Sequence, residues 1–250
     1  MFRHLTIEEH DDVALVRIDR PPANALDLEL LEEGSRVLNE LTASQPGAVV
    51  ITGRAGFFSA GVDLKLAPTL DAEGQRAMVS GINRLFGGWY GFQRPLVCAV
   101  NGHAIAGGLI LALCGDHRVG ATHGKLGLTE LRAGFPYPAA AMLVVKVELT
   151  PQVARRLVLG AGLVEPQQAL EWGLVDELQP DDRLLDRSLE VAAELASLPR
   201  ATYGIVKRQL RGESLRRLEA ILGGEGDPLA TAWVGDEAAD ASAAILAPND

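Results

Sequence analysis

Two glycine-rich stretches of the sequence could present backbone N–H groups to one ligand. The first, F-S-A-G-V-D-L-K, spans residues 58–65, and the second, N-G-H-A-I-A-G-G, spans residues 101–108. The second lies between an apolar strand predicted over 96–100 and an apolar helix predicted over 109–114, and a helix start carries N–H groups without intrahelical partners. One N–H from each stretch would form an oxyanion hole, which stabilises an oxygen that gains negative charge. It is equally consistent with the sequence at this point that these glycines only allow close packing and bind no ligand.

Glu130 is the carboxylate nearest to these stretches in the sequence. A single glutamate can act as a general acid and base, taking a proton from one carbon and returning it to another. Lys125 and Arg132 are close in sequence, so an ion-pair role for Glu130 is equally consistent with the sequence. His103 is a second candidate base, although we favour a hydrogen-bonded loop histidine there.

The sequence lacks the motifs of several other kinds of active site. The sequence has no G-x-S-x-G nucleophile elbow, no Walker loop and no G-x-G-x-x-G after a strand, which argues against a serine hydrolase and against nucleotide cofactors. No cysteine and histidine spacing resembles a zinc site, so we expect no metal. Cys98 and Cys114 lie in apolar surroundings and are predicted to be reduced core residues of a cytoplasmic protein.

Composition argues against two classes of partner. The 250 residues contain 23 Lys and Arg against 33 Asp and Glu, a formal net charge of −10, so general affinity for nucleic acid is not expected. The first ten residues lack the apolar core of a signal peptide, and polar residues at 101–103 interrupt the most apolar region, 96–114. We therefore expect a cytoplasmic protein that binds neither nucleic acid nor membrane.

Predicted strands alternate with predicted helices, which indicates an α/β fold with a parallel component. The strands are predicted as two within 5–19, around a turn at 10–12, and over 48–52, 96–100, 117–121 and 174–178. The helices are predicted over 28–43 with Asp27 as N-cap, and over 71–92, 139–147, 151–159, 166–172, 186–198, 202–210 and most of 213–246, with a break at 223–228. Residues 53–65 are predicted as a bent loop, and three glycines predict an irregular helix 71–92.

Five segments together resemble the crotonase family, the enoyl-CoA hydratase/isomerase superfamily. They are F-S-A-G-V-D-L-K at 58–65, N-G-x-A-x-A-G-G at 101–108, C-G-D-H-R-V at 114–119, L-G-L-T-E-L at 126–131 and A-L-E-W-G-L-V-D-E-L at 169–178. The resemblance implies a crotonase-like spiral of β-β-α units over 1–195, followed by a helical trimerisation region over 196–250. It implies an acyl-CoA thioester as substrate, a homotrimer or dimer of trimers, and no separate cofactor, since coenzyme A is part of the substrate.

The resemblance also assigns site residues. The N–H groups of Val62 and Gly107 would form the oxyanion hole for the thioester oxygen, and Glu130 would exchange the proton. The segment that would line the coenzyme A arm comprises Ala60, Gly61, Val62, Asp63 and Leu64. The segment near the adenine would comprise Asn24, Ala25 and Leu26.

One departure from the family pattern bears on the reaction. The family's hydratases use two glutamates, of which the second matches Glu130, whereas the position of the first is Ile110. One glutamate can take a proton from C2 and return it at C4, which is similar to the Δ3,Δ2-enoyl-CoA isomerases. We therefore predict isomerisation of 3-enoyl-CoA to 2-enoyl-CoA. The alternatives are an enoyl-CoA hydratase, another reaction through a CoA enolate, or a non-catalytic acyl-CoA binding protein.

The C-terminal part departs from the family as well. Many relatives end in a helix with an aromatic residue and a basic pair, and this sequence lacks that pair, which leaves Lys65, Lys207, Arg208 and Arg211 as candidates for the CoA phosphates. Apolar residues in the tail are predicted to need a partner surface, as expected for a trimer. These residues are Leu215, Leu218, Ile221, Leu222, Trp233 and Ile245.

Overall fold

A computed structural model of the protein describes residues 2–231 and 233–247. The strands in these ranges are β1 (Leu5–His10), β2 (Val13–Ile18), β3 (Ala48–Thr52), β4 (Gly56–Ser59), β5 (Leu96–Val100), β6 (Gly102–Ile105), β7 (His117–Ala121), β8 (Leu126–Gly127), β9 (Leu163–Val164) and β10 (Glu177–Gln179). The helices are α1 (Leu28–Ser44), α2 (Ala72–Tyr90), α3 (Gly107–Leu113), α4 (Ala139–Glu148), α5 (Pro151–Gly160), α6 (Pro166–Glu171), α7 (Asp181–Ala196), α8 (Arg200–Ala220) and α9 (Asp236–Leu246).

The strands form two sheets that the chain visits in turn. The larger sheet has the order β1-β2-β3-β5-β7-β10 and the smaller sheet the order β4-β6-β8-β9. Three times in succession, one strand joins the larger sheet, the next joins the smaller sheet, and a helix follows: β3-β4-α2, β5-β6-α3 and β7-β8-α4. This arrangement confirms the predicted spiral of β-β-α units.

The central strands of the larger sheet are buried on both faces. Every residue of β3 and β5 is buried, because α7 covers one face and the spiral core covers the other. Val50 and Val97 pack with Val191 of α7, whereas Val49 and Cys98 belong to the spiral core. Burial on both faces explains why the sequences of these strands are continuous apolar runs. They could be predicted from this continuity, although apolar and polar residues do not alternate in them.

Differences from the predicted elements concentrate in the smaller sheet. β4 lies in the stretch predicted as a loop, β6 lies in the predicted turn, and α3 begins at Gly107 and not at residue 109. β4 pairs with β6, which pairs with β8, so each of these strands of two to four residues depends on a partner remote in sequence. Strands this short contain too few residues to show a periodic pattern.

The boundaries of several other elements also differ. The last predicted strand begins at Glu177, α7 begins at Asp181, and α8 continues to Ala220. Helix α2 is continuous, so the predicted irregularity is wrong. Its glycines instead allow close helix packing, since a Cβ on Gly88 would lie 2.4 Å from Leu38 Cδ2.

Buried ion pairs attach α8 to the core. Lys207 Nζ lies 2.6 Å from Asp116 Oδ2, and Arg211 Nη2 lies 3.2 Å from Asp116 Oδ1. The Arg211 guanidinium also lies over the Tyr90 ring, 4.0 Å from its centroid. A buried cation needs such partners to offset its desolvation. The assignment of Lys207 and Arg211 to the CoA phosphates is therefore wrong, because both side chains are buried and paired.

The tail covers most of its apolar residues within its own chain. Leu218, Ile221 and Trp233 are exposed by 2%, 7% and 2%, so the prediction that they need a partner surface is wrong. Leu222 and Ile245 remain exposed, and Leu215 is partly buried against the core. In the two described ranges, no helix has the length and the apolar content needed to span a bilayer.

Candidate active site

The loop after β4 passes directly beside the start of α3. A Cβ on Gly61, whose φ is +80°, would lie 2.8 Å from the backbone N of Gly107, and a Cβ on Gly108 would lie 2.0 Å from the carbonyl O of Ser59. Any larger residue at these two positions would push the loop and the helix apart. The glycines therefore place Val62 and Gly107 side by side.

The N–H groups of Val62 and Gly107 are both free to bind a ligand. Leu26 N donates to Gly61 O at 2.7 Å, and Asp63 N donates to Leu26 O at 2.9 Å, in a parallel bridge between Leu26 and Val62. In such a bridge the N–H of Val62 points away from Leu26. Gly107 begins α3, so its N–H has no intrahelical acceptor. Within the described residues, neither N–H donates a hydrogen bond.

For the acyl-CoA thioester that the family resemblance implies as substrate, Gly61→Ala is expected to lower kcat/KM roughly 10²-fold, the effect of losing one oxyanion donor. The added Cβ would displace Gly107 N from its place beside Val62. Steady-state assays of both proteins measure the effect. Gly160→Ala is the matched control, because a Cβ there would meet no atom within 4 Å. Wild-type kcat/KM in Gly61→Ala would contradict an oxyanion hole at this place.

Val62 and Gly107 both line a mainly apolar pocket with a cavity volume of about 50 Å³. Its wall is built from the loop after β4, from α2, α3 and α4, from the segment after β8, and from the C-terminal segment. The described lining residues are Ala60, Val62, Leu64, Ile82, Phe86, Ala106, Gly107, Ile110, Thr129, Glu130, Ala133, Phe135, Pro136, Tyr137, Pro138, Ala141 and Trp233.

Glu130 brings a carboxylate into this pocket. It begins a 3₁₀ turn, Glu130–Ala133, that follows β8. Burial raises the pKa of Glu130 from its ordinary 4.5 to about 7, and the Tyr137 hydroxyl donates a hydrogen bond to Oε2 at 2.9 Å. The ion-pair interpretation fails, since Lys125 pairs with Glu165 and no ion pair of Glu130 is found among the described residues. A carboxylate with such a pKa can accept and release a proton near neutral pH.

Several residues predicted to bind substrate instead hold the loop in place. Asn24 is fully buried, and its Nδ2 donates to the carbonyl oxygens of Ile18, Phe57 and Phe58. Its side chain is thus not available to a ligand. Asp63 pairs with Arg20 Nη2 at 2.9 Å. A contact of this segment with adenine stays a prediction.

Asn24 does not belong to the described pocket lining. Four other residues predicted to bind substrate also lie outside this lining, namely Ala25, Leu26, Gly61 and Asp63. Leu26 supports the site from behind, since it is 1% exposed and its Cδ1 would lie 3.1 Å from a Cβ on Gly107. The predicted residues that do line the pocket are Ala60, Val62, Leu64, Gly107, Ile110 and Glu130.

His103 is not a base in this pocket. It lies on β6, where its ring stacks on Phe57 at 4.8 Å and its Nδ1 accepts a hydrogen bond from Lys125 N at 3.2 Å. Burial lowers the pKa of His103. Of the favoured interpretation, a hydrogen-bonded loop histidine, the hydrogen bond is confirmed, but the loop is wrong because His103 lies on β6.

Similarity to known proteins identifies the family. A family model described as enoyl-CoA hydratase/isomerase matches residues 8–231. The chain belongs to the enoyl-CoA hydratase/isomerase family. A carnitinyl-CoA dehydratase of Citrobacter koseri is 29% identical over 219 residues, which are 86% of this chain and 82% of that protein.

Solved structures of the family resemble this fold closely. A Mycobacterium tuberculosis protein described as probable enoyl-CoA hydratase EchA3 is 28% identical, with a TM-score of 0.83 over 89% of this chain and 94% of that one. Human mitochondrial Δ3-Δ2-enoyl-CoA isomerase has a TM-score of 0.90 over 98% of this chain and 97% of that one. At 24% identity, the human protein shows the fold alone.

In this member of the enoyl-CoA hydratase/isomerase family, the pocket also contains residues that the sequence analysis did not assign to the site. Ile82 and Phe86 of α2, Tyr137 and Trp233 all line it. Trp233 reaches it from the C-terminal segment, where its Nε1 donates to Pro136 O at 2.9 Å. Trp233 had been predicted only as an apolar tail residue that needs a partner surface, and the Pro-Tyr-Pro run after Glu130 was the available signal for Tyr137.

Proposed function

We propose that this enzyme isomerises 3-enoyl-CoA to 2-enoyl-CoA, with Glu130 as the single proton carrier. The observation that carries the proposal is the number of carboxylate side chains in the pocket lining. Among its described lining residues, Glu130 is the only carboxylate, and Ile110 lies where the family resemblance places the first glutamate of hydratases. Ile110 is 1% exposed and cannot transfer a proton.

The proposed reaction begins with the thioester oxygen bound by the N–H groups of Val62 and Gly107. Ionised Glu130 removes a proton from C2, and the electron pair delocalises to the oxygen, where the two N–H groups stabilise the charge. Protonated Glu130 then returns the proton at C4, so the double bond moves from C3–C4 to C2–C3. Substrate and product have the same atoms, and Glu130 ends the cycle ionised.

The pocket lining supports a hydrocarbon acyl chain. Ile82, Phe86, Phe135 and Trp233 are buried apolar or aromatic residues of its wall. The polar groups of Tyr137 and Trp233 already donate to Glu130 Oε2 and Pro136 O. A polar substituent on the chain would thus lose water without gaining these donors as partners.

Dehydration or hydration is the second candidate, favoured by the name of the carnitinyl-CoA dehydratase relative. Incubating the protein with a panel of 2-enoyl and 3-enoyl CoA thioesters and analysing the products tests both candidates. Conversion of 3-enoyl-CoA alone is the expected result. Binding of the thioesters without any product would favour the non-catalytic acyl-CoA binding protein.

The isomerase kcat/KM is expected to rise with pH and to reach half its maximum near pH 7. Burial raises the pKa of Glu130 to about 7, and only the ionised form removes a proton from C2. Activity is therefore lost as the pH falls through this value. Initial rates between pH 5 and pH 9 at low substrate measure the midpoint. A midpoint near 4.5, the ordinary value, would contradict a buried Glu130 as the base.

Three wider proposals accompany this function. A homotrimer or dimer of trimers, a cytoplasmic location and the absence of a separate cofactor all follow from the family resemblance and the composition. Lys65 and Arg208 are both exposed and remain the proposed contacts for the CoA phosphates.

A further inference from the structure

Tyr137 is placed against Glu130 by the short segment that joins them. The 3₁₀ turn that begins at Glu130 is closed by a hydrogen bond from Phe135 N to Glu130 O at 3.0 Å. Pro136 and Pro138 flank Tyr137 and restrict the backbone on both sides of it. As a result, the Tyr137 hydroxyl lies 2.9 Å from Glu130 Oε2 inside the pocket.

We propose that Tyr137 is a positioning residue, whose hydroxyl holds Glu130 Oε2 so that Oε1 alone carries the proton between C2 and C4. This inference rests on the proposed isomerase function. Tyr137 does not exchange a proton with the substrate in this scheme. It acts through Glu130, by fixing one of the two carboxylate oxygens.

The hydroxyl is suited to remain a donor throughout the reaction. Burial and the neighbouring Glu130 raise the pKa of Tyr137 well above its ordinary value, so the hydroxyl stays protonated. A hydrogen bond donated to a carboxylate favours the ionised form. The backbone N–H of Glu130, the Tyr137 hydroxyl and the backbone N–H of Thr129 thus all lower the pKa of Glu130 and oppose the rise that burial causes.

Among the described residues of the pocket wall, Tyr137 is the only titratable side chain besides Glu130 itself. The groups that face the pocket from the other elements are uncharged. They are Ile82 and Phe86 of α2, Ile110 of α3, Ala141 of α4 and Trp233 of the C-terminal segment. Loss of the Tyr137 hydroxyl should therefore appear directly in the titration of Glu130.

Fixing Oε2 of Glu130 also matters for the transfer of the proton from C2 to C4. Glu130 must reach C2 and then C4 without leaving the plane of attack, and a long side chain otherwise samples several rotamers. Misplacing a catalytic group by about 1 Å can lower a rate about 10²-fold. Anchored at Oε2, the carboxylate can pivot so that Oε1 visits both carbons.

The test is Tyr137→Phe, with Tyr203→Phe as the matched control. Tyr203 is a partly buried tyrosine of α8 that lies outside the described pocket lining. Tyr137→Phe is expected to lower kcat by about 10- to 10²-fold with KM little changed, and to move the pH midpoint up by about one unit. An unchanged midpoint in Tyr137→Phe would overturn the proposal. The control should keep both the wild-type midpoint and the wild-type kcat.

Two further measurements cover misfolding of the variant and failure of the isomerase assignment. A fluorotyrosine at position 137 is a stronger donor of the same shape, so it should move the midpoint down, and an unchanged or raised midpoint would overturn the proposal. Carboxyl ¹³C NMR of the ligand-free protein, assigned with Glu130→Gln, follows the Glu130 titration without any turnover. If the wild type does not isomerise 3-enoyl-CoA, the proposed function fails, whereas the shift in this titration still decides the role of Tyr137.

Discussion

Glu130→Gln is expected to lower isomerase turnover by several orders of magnitude while acyl-CoA binding is retained. One positioned acid–base group contributes roughly 10²–10⁴ to a rate. The effect should lie at or above the upper end of this range, because Glu130 is the only carboxylate among the described pocket residues and serves in both proton transfers. Glutamine keeps the shape and still accepts a hydrogen bond from Tyr137, so the binding pocket should be preserved.

The measurement pairs isothermal titration of a thioester with turnover of 3-enoyl-CoA. Glu165→Gln is the matched control, since its side chain is exposed and pairs only with Lys125 among the described partners. Near wild-type turnover in Glu130→Gln would refute the role of Glu130 as the base. His103 would then be the remaining histidine of the glycine-rich stretches to test, although it lies outside the pocket.

The stability of Glu130→Gln separates lost chemistry from lost folding. Burial raises the pKa of Glu130 from 4.5 to about 7 in the folded protein, so the folded state binds its proton more tightly than the unfolded state. The stability linked to this proton is present below pH 4.5 and is lost as the pH rises through about 7. At pH 8 the variant should thus be at least as stable as the wild type in a thermal melt.

Isomerisation of 3-enoyl-CoA is expected to exceed hydration of 2-enoyl-CoA by at least about a hundredfold in kcat/KM. Hydration needs a water held by two acid–base groups, whereas the proton removed at C2 can be returned at C4 by one. The oxyanion hole at Val62 and Gly107 serves both reactions and does not discriminate between them. The discriminating residue is Ile110, which is buried where a second carboxylate would act.

Both reactions should be measured on one protein preparation, with Ile110→Glu alongside Ile110→Leu as a volume-matched control. Ile110→Glu should gain hydration relative to isomerisation, at some loss of stability from the buried carboxylate. Ile110→Leu should keep the wild-type ratio. Comparable kcat/KM for the two reactions in the wild-type protein would put the hydratase assignment first and would mean that another group supplies the second proton.

The larger sheet and the two glycine-rich stretches could be predicted from the sequence because their signals are local. β3 and β5 are apolar runs, since both of their faces are covered, and such runs are visible without knowing what covers them. Asp27 caps α1 by accepting from Leu30 N at 2.8 Å, an interaction within one turn of helix. Glu130 and the two glycine-rich stretches were recognised by residue type and order alone.

The tertiary structure decided what depends on partners far apart in the chain. Lys207 and Arg211 looked like phosphate-binding residues, but Asp116 lies about ninety positions earlier and pairs with both of them in the interior. Trp233 looked like an interface residue until its contact with Pro136 placed it in the pocket wall. Burial is a property of the assembled fold, so the value of about 7 to which the pKa of Glu130 rises and the contact of its carboxylate with Tyr137 were decided by the tertiary structure.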